Sequence, residues 1–222
     1  MDSVFVTGTD TEVGKTRISV ALIELLQQQG KQIAVMKPIA SGCELTVDGL
    51  RNDDAVQLSQ QADVSLAYDL INPYAFEPAI APHLAAQQAD INIDLDVIKQ
   101  NFDLIQHQAD AVVVEGAGGW LVPLNDNATI ADLAVQLGLP IVLVVGIRLG
   151  CINHALLTVQ AIEQRGLKLH GWVANNIEQN AQSTEIVNTL KQSISAPCLG
   201  VVPFLSVDEK ASTYLKLENE CD

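Results

Sequence analysis

The sequence predicts an α/β fold: a doubly wound, mostly parallel sheet with helices on both faces. Three observations predict it. Short, fully apolar runs such as Ala111-Val112-Val113-Val114 and Ile141 to Val145 read as central strands covered on both faces. Between such runs lie stretches with apolar residues at helical spacing, so strand and helix alternate along the chain. The polar punctuation falls where the strands end, and open parallel sheets bind ligands beyond those carboxyl ends.

The first element is the strand Val4-Phe5-Val6, followed by Thr7-Gly8-Thr9-Asp10-Thr11-Glu12-Val13-Gly14-Lys15-Thr16. Backbone N–H groups in such a turn, with the positive end of the next helix, form a seat for phosphate. Lys15 would reach the terminal phosphates as a point charge, and the Thr16 hydroxyl would ligate Mg²⁺. Five residues rather than four separate Gly8 from Gly14, with Thr9 in place of the usual first glycine, so this is a P-loop variant. Gly-Lys-Thr alone could simply join strand to helix. Here it follows an apolar strand and opens an amphipathic helix, the context the motif requires, and the expected architecture is P-loop NTPase-like.

That helix places Ile18, Ala21, Leu22, Leu25 and Leu26 on one face, with Gly30 suited to its end. Ile33 to Met36 gives a second strand, a βαβ spacing of about thirty residues. Lys37, between that strand and Pro38, should project over the sheet edge beside the P-loop. Most lysines simply face solvent, but a second cation near Lys15 suits phosphoryl transfer. Residues 39–49 read as a loop, in which Ser41-Gly42 are turn residues before they are substrate donors. Leu50 to Asp54 leads into a helix carrying Ala55, Leu58 and Ala62. On spacing alone Asp54 is equally a metal ligand and an ordinary helix-start acid. Residues 63–93, interrupted by Pro73, Pro78 and Pro82, read as a wrapped excursion with one short helix near His83–Gln88. Asp94 to Gln108 reads as a helix with Leu95, Ile98, Phe102 and Ile105 in register.

Glu115 ends the Val-rich strand and opens a glycine-rich turn, Gly116-Ala117-Gly118-Gly119-Trp120. A carboxylate buried there without a partner is costly, so bound Mg²⁺ explains it better than a chance meeting with solvent. Thr129 to Leu137 is a short helix and Ile141 to Val145 a strand. Leu149-Gly150-Cys151-Ile152-Asn153 opens a helix with Ile152, Leu156, Val159 and Ile162 inward, closed by Gly166. Its start is another anion seat in principle, although an ordinary solvent-capped N-terminus is preferred from the residues alone. Gly171 to Ala174 is a strand ending at Asn175-Asn176. Ile186, Val187, Leu190 and Ile194 make the last helical face, and Cys198 to Val201 the last strand. The chain reads as one domain over 1–222, with a polar, loosely packed tail after about residue 206.

Composition narrows the function. Asp and Glu number 27 against 12 Lys and Arg, a net charge of −15, which excludes nucleic acid as a partner. ATP is not excluded, because a P-loop holds phosphate through local amides, one lysine and a metal; acidic surroundings make Mg²⁺ necessary. The apolar run Leu139 to Val145 contains Pro140 and is too short for a membrane span, and the N-terminus has no signal-peptide pattern, so a cytoplasmic location is expected. Cys43, Cys151, Cys198 and Cys221 are scattered and read as reduced thiols. His83, His107, His154 and His170 are isolated and receive no catalytic role. Trp120 and Trp172 read as packing residues.

The assembled motifs resemble the dethiobiotin synthase family. The matching segments are Gly8 to Thr16, Lys37-Pro38-Ile39-Ala40-Ser41-Gly42, Gly49 to Ala55, Asn72-Pro73-Tyr74, Ala81-Pro82-His83, Val114 to Trp120, Leu149 to His154 and Gly171 to Asn175. The five-residue spacing in the P-loop is one this family shows, and the likeness runs to about Pro203.

The resemblance implies an ATP- and CO₂-dependent ring closure on 7,8-diaminononanoate. It implies that Lys15 and Lys37 balance charge on the carbamate and γ-phosphate, and that Thr16, Asp54 and Glu115 hold Mg²⁺. Glu12, Val13, Gly14, Arg17, Gly116, Ala117 and Gly118 would line the nucleotide. Asn175 and Asn176 would meet the adenine edge, with Pro203, Phe204 and Leu205 forming its pocket. Thr11 and Ser41 would face the substrate. The Gly150, Cys151, Ile152 and Asn153 amides would bind its carboxylate tail from the second subunit of a homodimer. Two departures stand out: Ile186 aligns where some relatives have tyrosine, and the segment after Pro203 resembles the family poorly. A rival reading is a P-loop switch ATPase of the septum-site or plasmid-partition kind, which places a second lysine where this chain has Asp10. Ligases that amidate cobyrinic acid are nearer in fold, but they append a glutaminase domain for which 222 residues leave no room.

Overall fold

Residues 3–179, 182–206 and 209–217 are described in the computed structural model. Strand β1 (Val4–Gly8) is buried along its whole length. Helix α1 (Lys15–Gln28) and strand β2 (Ile33–Met36) complete the first unit. An excursion follows: β3 (Ile39–Ser41), β4 (Glu44–Thr46), β5 (Gly49–Arg51), α2 (Asp53–Gln61), α3 (Tyr68–Ile71), β6 (Tyr74–Phe76) and α4 (Pro82–Gln88). The chain returns through α5 (Leu95–Gln106), β7 (Ala111–Gly119), α6 (Ile130–Leu137), β8 (Ile141–Gly146), α7 (Cys151–Gln164), β9 (Leu169–Asn175), α8 (Ser183–Ser193) and β10 (Cys198–Val202). A 3₁₀ turn at Ala211–Tyr214 follows.

The main sheet has the order β10-β9-β8-β1-β7-β2, with every neighbouring pair parallel. Alternation along the strands sorts side chains to two cores. Phe5, Val112, Val114 and Leu143 face α5, α6 and α7. Val4, Val6, Val113 and Val142 face Ile18, Leu22 and Leu26 of α1 and Leu58 of α2. Because β1 lies between β7 and β8, the loop after it opens at the carboxyl edge of the sheet where the winding reverses, the place such sheets bind ligands.

Three expectations need correction. Residues 39–49 are not a plain loop: β3 pairs with β6 in a separate parallel pair, and β4 forms an antiparallel hairpin with β5, which begins at Gly49. Val47-Asp48 make the turn of that hairpin, and Gly49, at φ 99°, opens its second strand opposite Thr46. The glycine-rich stretch after Glu115 is strand, since β7 runs to Gly119. Its register against β1 slips between the pairs Val6–Glu115 and Gly8–Gly119, a bulge for which Gly116 and Gly118 leave room. The tail is packed where it is described. Leu215 and Leu217 are buried against the α1 face, and Glu24 accepts a hydrogen bond from Lys210 Nζ at 2.7 Å. The remainder of the predicted loose tail, residues 207–208 and 218–222, lies outside the described residues.

Candidate active site

The loop after β1 turns through two left-handed residues, Glu12 at φ 59° and Gly14 at φ 86°. A Cβ on Gly14 would collide with Asn175 Nδ2, which donates 2.8 Å to the Val13 carbonyl. Val13 itself points inward: it is buried beneath Gly8 and Gly146, either of which would strike it if given a Cβ. Only the Val13 backbone can therefore face a ligand. Lys15 curls back over the loop and donates 2.9 Å to the Asp10 carbonyl. Burial, then the charge of Lys37, pushes its ammonium down to about 8.

Lys37 lies at the end of β2, where Pro38 halts the strand, and it is buried rather than projecting into solvent. Its Nζ donates 2.6 Å to Glu115 Oε1, 3.0 Å to Asp54 Oδ2 and 3.3 Å to the Gly116 carbonyl. Burial alone would pull its pKa down, but the two carboxylates outweigh burial and hold it above the ordinary lysine value. Asp54 answers in kind. Burial would raise its carboxyl, yet the Lys37 charge and hydrogen bonds from Thr16 and Lys37 hold it below the usual range. Asn52 caps α2 by accepting from the Ala55 N–H at 3.3 Å, and so fixes where Asp54 enters.

The donor set fits Mg²⁺. Thr16 Oγ1 donates 3.0 Å to Glu115 Oε1, so Thr16, Asp54 and Glu115 converge on one spot. Glu115 is fully buried, and among the described residues its Oε2 has no hydrogen-bond partner, an acceptor left over for a cation. Among the described residues no group of three or more His, Cys, Asp or Glu side chains could hold a metal unaided. Magnesium characteristically takes one or two carboxylates and completes its shell with phosphates and water.

Above the buried Glu115 lies a cleft of about 730 Å³. From the predicted set it takes Thr11, Glu12, Gly14, Lys15, Thr16, Lys37, Ser41, Asp54, Ala117 and Gly118. Ser41 Oγ is buried there without a partner, as a hydroxyl kept for a substrate would be. Sequence reasoning missed Asn52 and the wall Ala79-Ile80-Ala81-Pro82. The cap residue was detectable as an Asn before Asp53-Asp54; of the wall, Ala81 and Pro82 fall in a segment that resembles the family, without a site role assigned to them.

The comparisons with known proteins decide the family. A family model described as "AAA domain" matches residues 2–211. An ATP-dependent dethiobiotin synthetase of Pseudomonas paraeruginosa is 50% identical over 211 residues, covering 93% of this chain and 91% of the relative. Its counterpart in Marinobacter nauticus is 50% identical over 210 residues, covering 93% and 90%. The chain belongs to the dethiobiotin synthetase family. Membership makes it an enzyme of the ligase class. The fold is shared more widely: the cell division ATPase MinD of Pyrococcus furiosus superposes with a TM-score of 0.60, covering 96% of this chain and 95% of that one, at 13% identity. A likeness at that identity is one of architecture, whereas these two synthetases share half of the aligned residues.

The other predicted site residues lie outside the cleft. Arg17 Nη1 donates 3.2 Å to the Leu205 carbonyl, tying α1 to the chain after β10. Asn175 Nδ2 donates 2.8 Å to the Val13 carbonyl and Asn176 Nδ2 donates 2.7 Å to the Val202 carbonyl, so each amide spends one of its two N–H groups on the protein itself. Phe204 is half exposed, and the Leu205 side chain is buried in the α1 core. Gly150 to Asn153 stand at the start of α7, away from the cleft lining. The Cys151 N–H is already bonded to the Arg148 carbonyl at 3.1 Å, which leaves fewer amides there than expected. Asp10, the position that separates this chain from switch ATPases, pairs with Arg148.

Proposed function

We propose that this chain carries out the reaction named for its relatives, the ATP-dependent synthesis of dethiobiotin from 7,8-diaminononanoate and CO₂. The observation that supports it most is the cluster of Lys15, Lys37 and Asp54 in one cleft, with Glu115 buried beneath it against Lys37, in a chain half identical to such synthetases. One substrate amine adds to CO₂ and loses a proton, giving a carbamate. A carbamate oxygen attacks the γ-phosphorus of ATP; the bond to the ADP oxygen breaks and a carbamic–phosphoric anhydride forms. The second amine attacks the carbamoyl carbon, a C–N bond closes the ureido ring, and phosphate leaves.

The chain's part is positioning and charge balance. The P-loop amides and Lys15 hold the phosphates. Lys37, already desolvated by its surroundings, stabilises charge shared between the carbamate oxygen and the γ-phosphoryl group. Ser41 offers its unpartnered hydroxyl to the carbamate end. Mg²⁺, held by Thr16, Asp54 and Glu115, would neutralise phosphate charge when bound. The domain spans the whole chain and works in the cytoplasm as a homodimer. Leu149 and Leu157, exposed on and beside the first turns of α7, support a partner covering the face that presents Gly150 to Asn153.

Purified protein incubated with ATP, Mg²⁺, bicarbonate and 7,8-diaminononanoate should release ADP and a ureido product detectable by mass spectrometry, each dependent on the diamine. ATP hydrolysis indifferent to the diamine would favour a switch ATPase instead.

A further inference from the structure

We infer that Tyr68 and Asn72, on and just after the short helix α3, are positioning residues that set Lys37 and Asp54 in register. The inference rests on the ligase reading above, since it concerns how that site is built. Neither residue lines the cleft, yet a continuous set of hydrogen bonds leads from them to both arms of the central pair.

The Asn72 side chain is buried. Its Nδ2 donates 2.7 Å to the Lys37 carbonyl and 3.4 Å to the Tyr74 carbonyl. Alongside it the Lys37 N–H donates 2.9 Å to the Ile71 carbonyl. Lys37 is the point where the chain leaves β2 for the separate β3–β6 pair, and Pro38 brings no N–H with which to continue the main ladder. Asn72 substitutes for the missing strand neighbour there and fixes the backbone from which the lysine side chain departs.

Tyr68 joins this arm to the other. Its hydroxyl donates 3.1 Å to Asn72 Oδ1 and accepts the Asn52 N–H at 2.8 Å. Asn52 caps α2, whose first turn carries Asp54. One hydroxyl thus links the backbone before Asp54 to the amide that holds Lys37, and Lys37 Nζ meets Asp54 Oδ2 at 3.0 Å. The ring is itself held from behind: the Arg51 guanidinium stacks over it, 4.1 Å from the centroid. A hydroxyl bonded on both sides with its ring clamped is arranged to hold an angle. Outer groups of this kind commonly change activity by an order of magnitude through the residues they orient.

The test is Tyr68→Phe, which keeps the ring and its stack on Arg51 but leaves the Asn52 N–H and Asn72 Oδ1 unpaired. The expected result is a fall in kcat of about 10-fold with KM for ATP nearly unchanged. The melting temperature should stay within a few degrees, and a crystal structure of the variant should show a longer Lys37 Nζ to Asp54 Oδ2 separation. Asn72→Leu should reproduce the kcat loss, and the double variant should lose little more than either alone, because the two act through one linkage. Wild-type kcat in Tyr68→Phe, an unchanged Lys37–Asp54 separation, or additive losses in the double variant would each overturn the inference. Failure of the wild-type enzyme itself to make the ureido product would instead overturn the ligase reading.

Discussion

Lys37 Nζ lies 2.6 Å from Glu115 Oε1, in a pair whose members are 78 positions apart in the chain and both buried. The second Glu115 oxygen has no partner among the described residues. A buried ion pair of this kind is poor evidence of stabilisation, since desolvation offsets most of the attraction. Its arrangement makes better sense as charge kept ready for an incoming phosphate and metal, and several outcomes follow from that.

Lys37→Gln removes the cation and leaves the Glu115 carboxylate buried against a neutral amide. Turnover should fall about 100-fold or more while ATP binding persists through the P-loop and Lys15. Loss of one partner from a buried pair also costs stability, about 3–5 kcal/mol. Steady-state kinetics with calorimetric ATP titration separate the two effects; unaltered turnover would remove Lys37 from the catalytic set.

Glu115→Gln keeps the side-chain shape but halves the acidic charge offered to a cation. The Mg²⁺ concentration for half-maximal turnover should rise by about 10-fold, and chelation of divalent ions should silence the unaltered enzyme reversibly. Equal Mg²⁺ dependence in both proteins would show that Glu115 does not hold the metal.

Gly14→Ala introduces a Cβ at φ 86° and into Asn175 Nδ2. The left-handed backbone alone costs about 1–2 kcal/mol, and relief by moving Asn175 gives up its bond to the Val13 carbonyl. ATP affinity should drop sharply and the melting temperature fall with it. Calorimetry on the purified variant reads both.

Acid should reveal a separate device on α6. Burial would raise the Asp132 carboxyl, but hydrogen bonds from Thr129 and the Arg165 charge outweigh burial and hold it below its ordinary 3.8. The unfolded chain therefore binds the proton first, and the contribution is complete above about pH 4 and disappears as pH falls through the folded-state value. Asp132→Asn should cost about 1 kcal/mol at pH 7, with the gap to wild type closing in denaturant melts at progressively lower pH.

The chemistry was legible where residue type and strand position coincide. Lys15, Lys37 and Glu115 each follow an apolar parallel strand, and the sheet brings such positions to one edge. Asp54 was ambiguous because nothing in its neighbourhood separates an acid at a helix start from a ligand; the structure adds its contact with Lys37, 17 positions away. The three-residue strands of 39–51 and 74–76 were illegible because no periodicity develops over so short a run. The tail misled through its polar composition, although Leu215 and Leu217 alone suffice to dock it on α1. The β7 bulge was read as a turn because its glycines serve close approach to Phe5 and Val122 rather than chain reversal. Asn72 falls in a segment that resembles the family, but its partner Lys37, and Asn52 beside Tyr68, are distant in sequence, so no local pattern announces the linkage.

The central claim is that a carbamate oxygen attacks the γ-phosphorus of ATP beside Lys15 and Lys37. Its most direct measurement follows oxygen from ¹⁸O-labelled bicarbonate, with 7,8-diaminononanoate present, into the released phosphate by mass spectrometry. One labelled oxygen in each phosphate formed is the predicted result. Phosphate that draws its new oxygen from water instead would contradict the account.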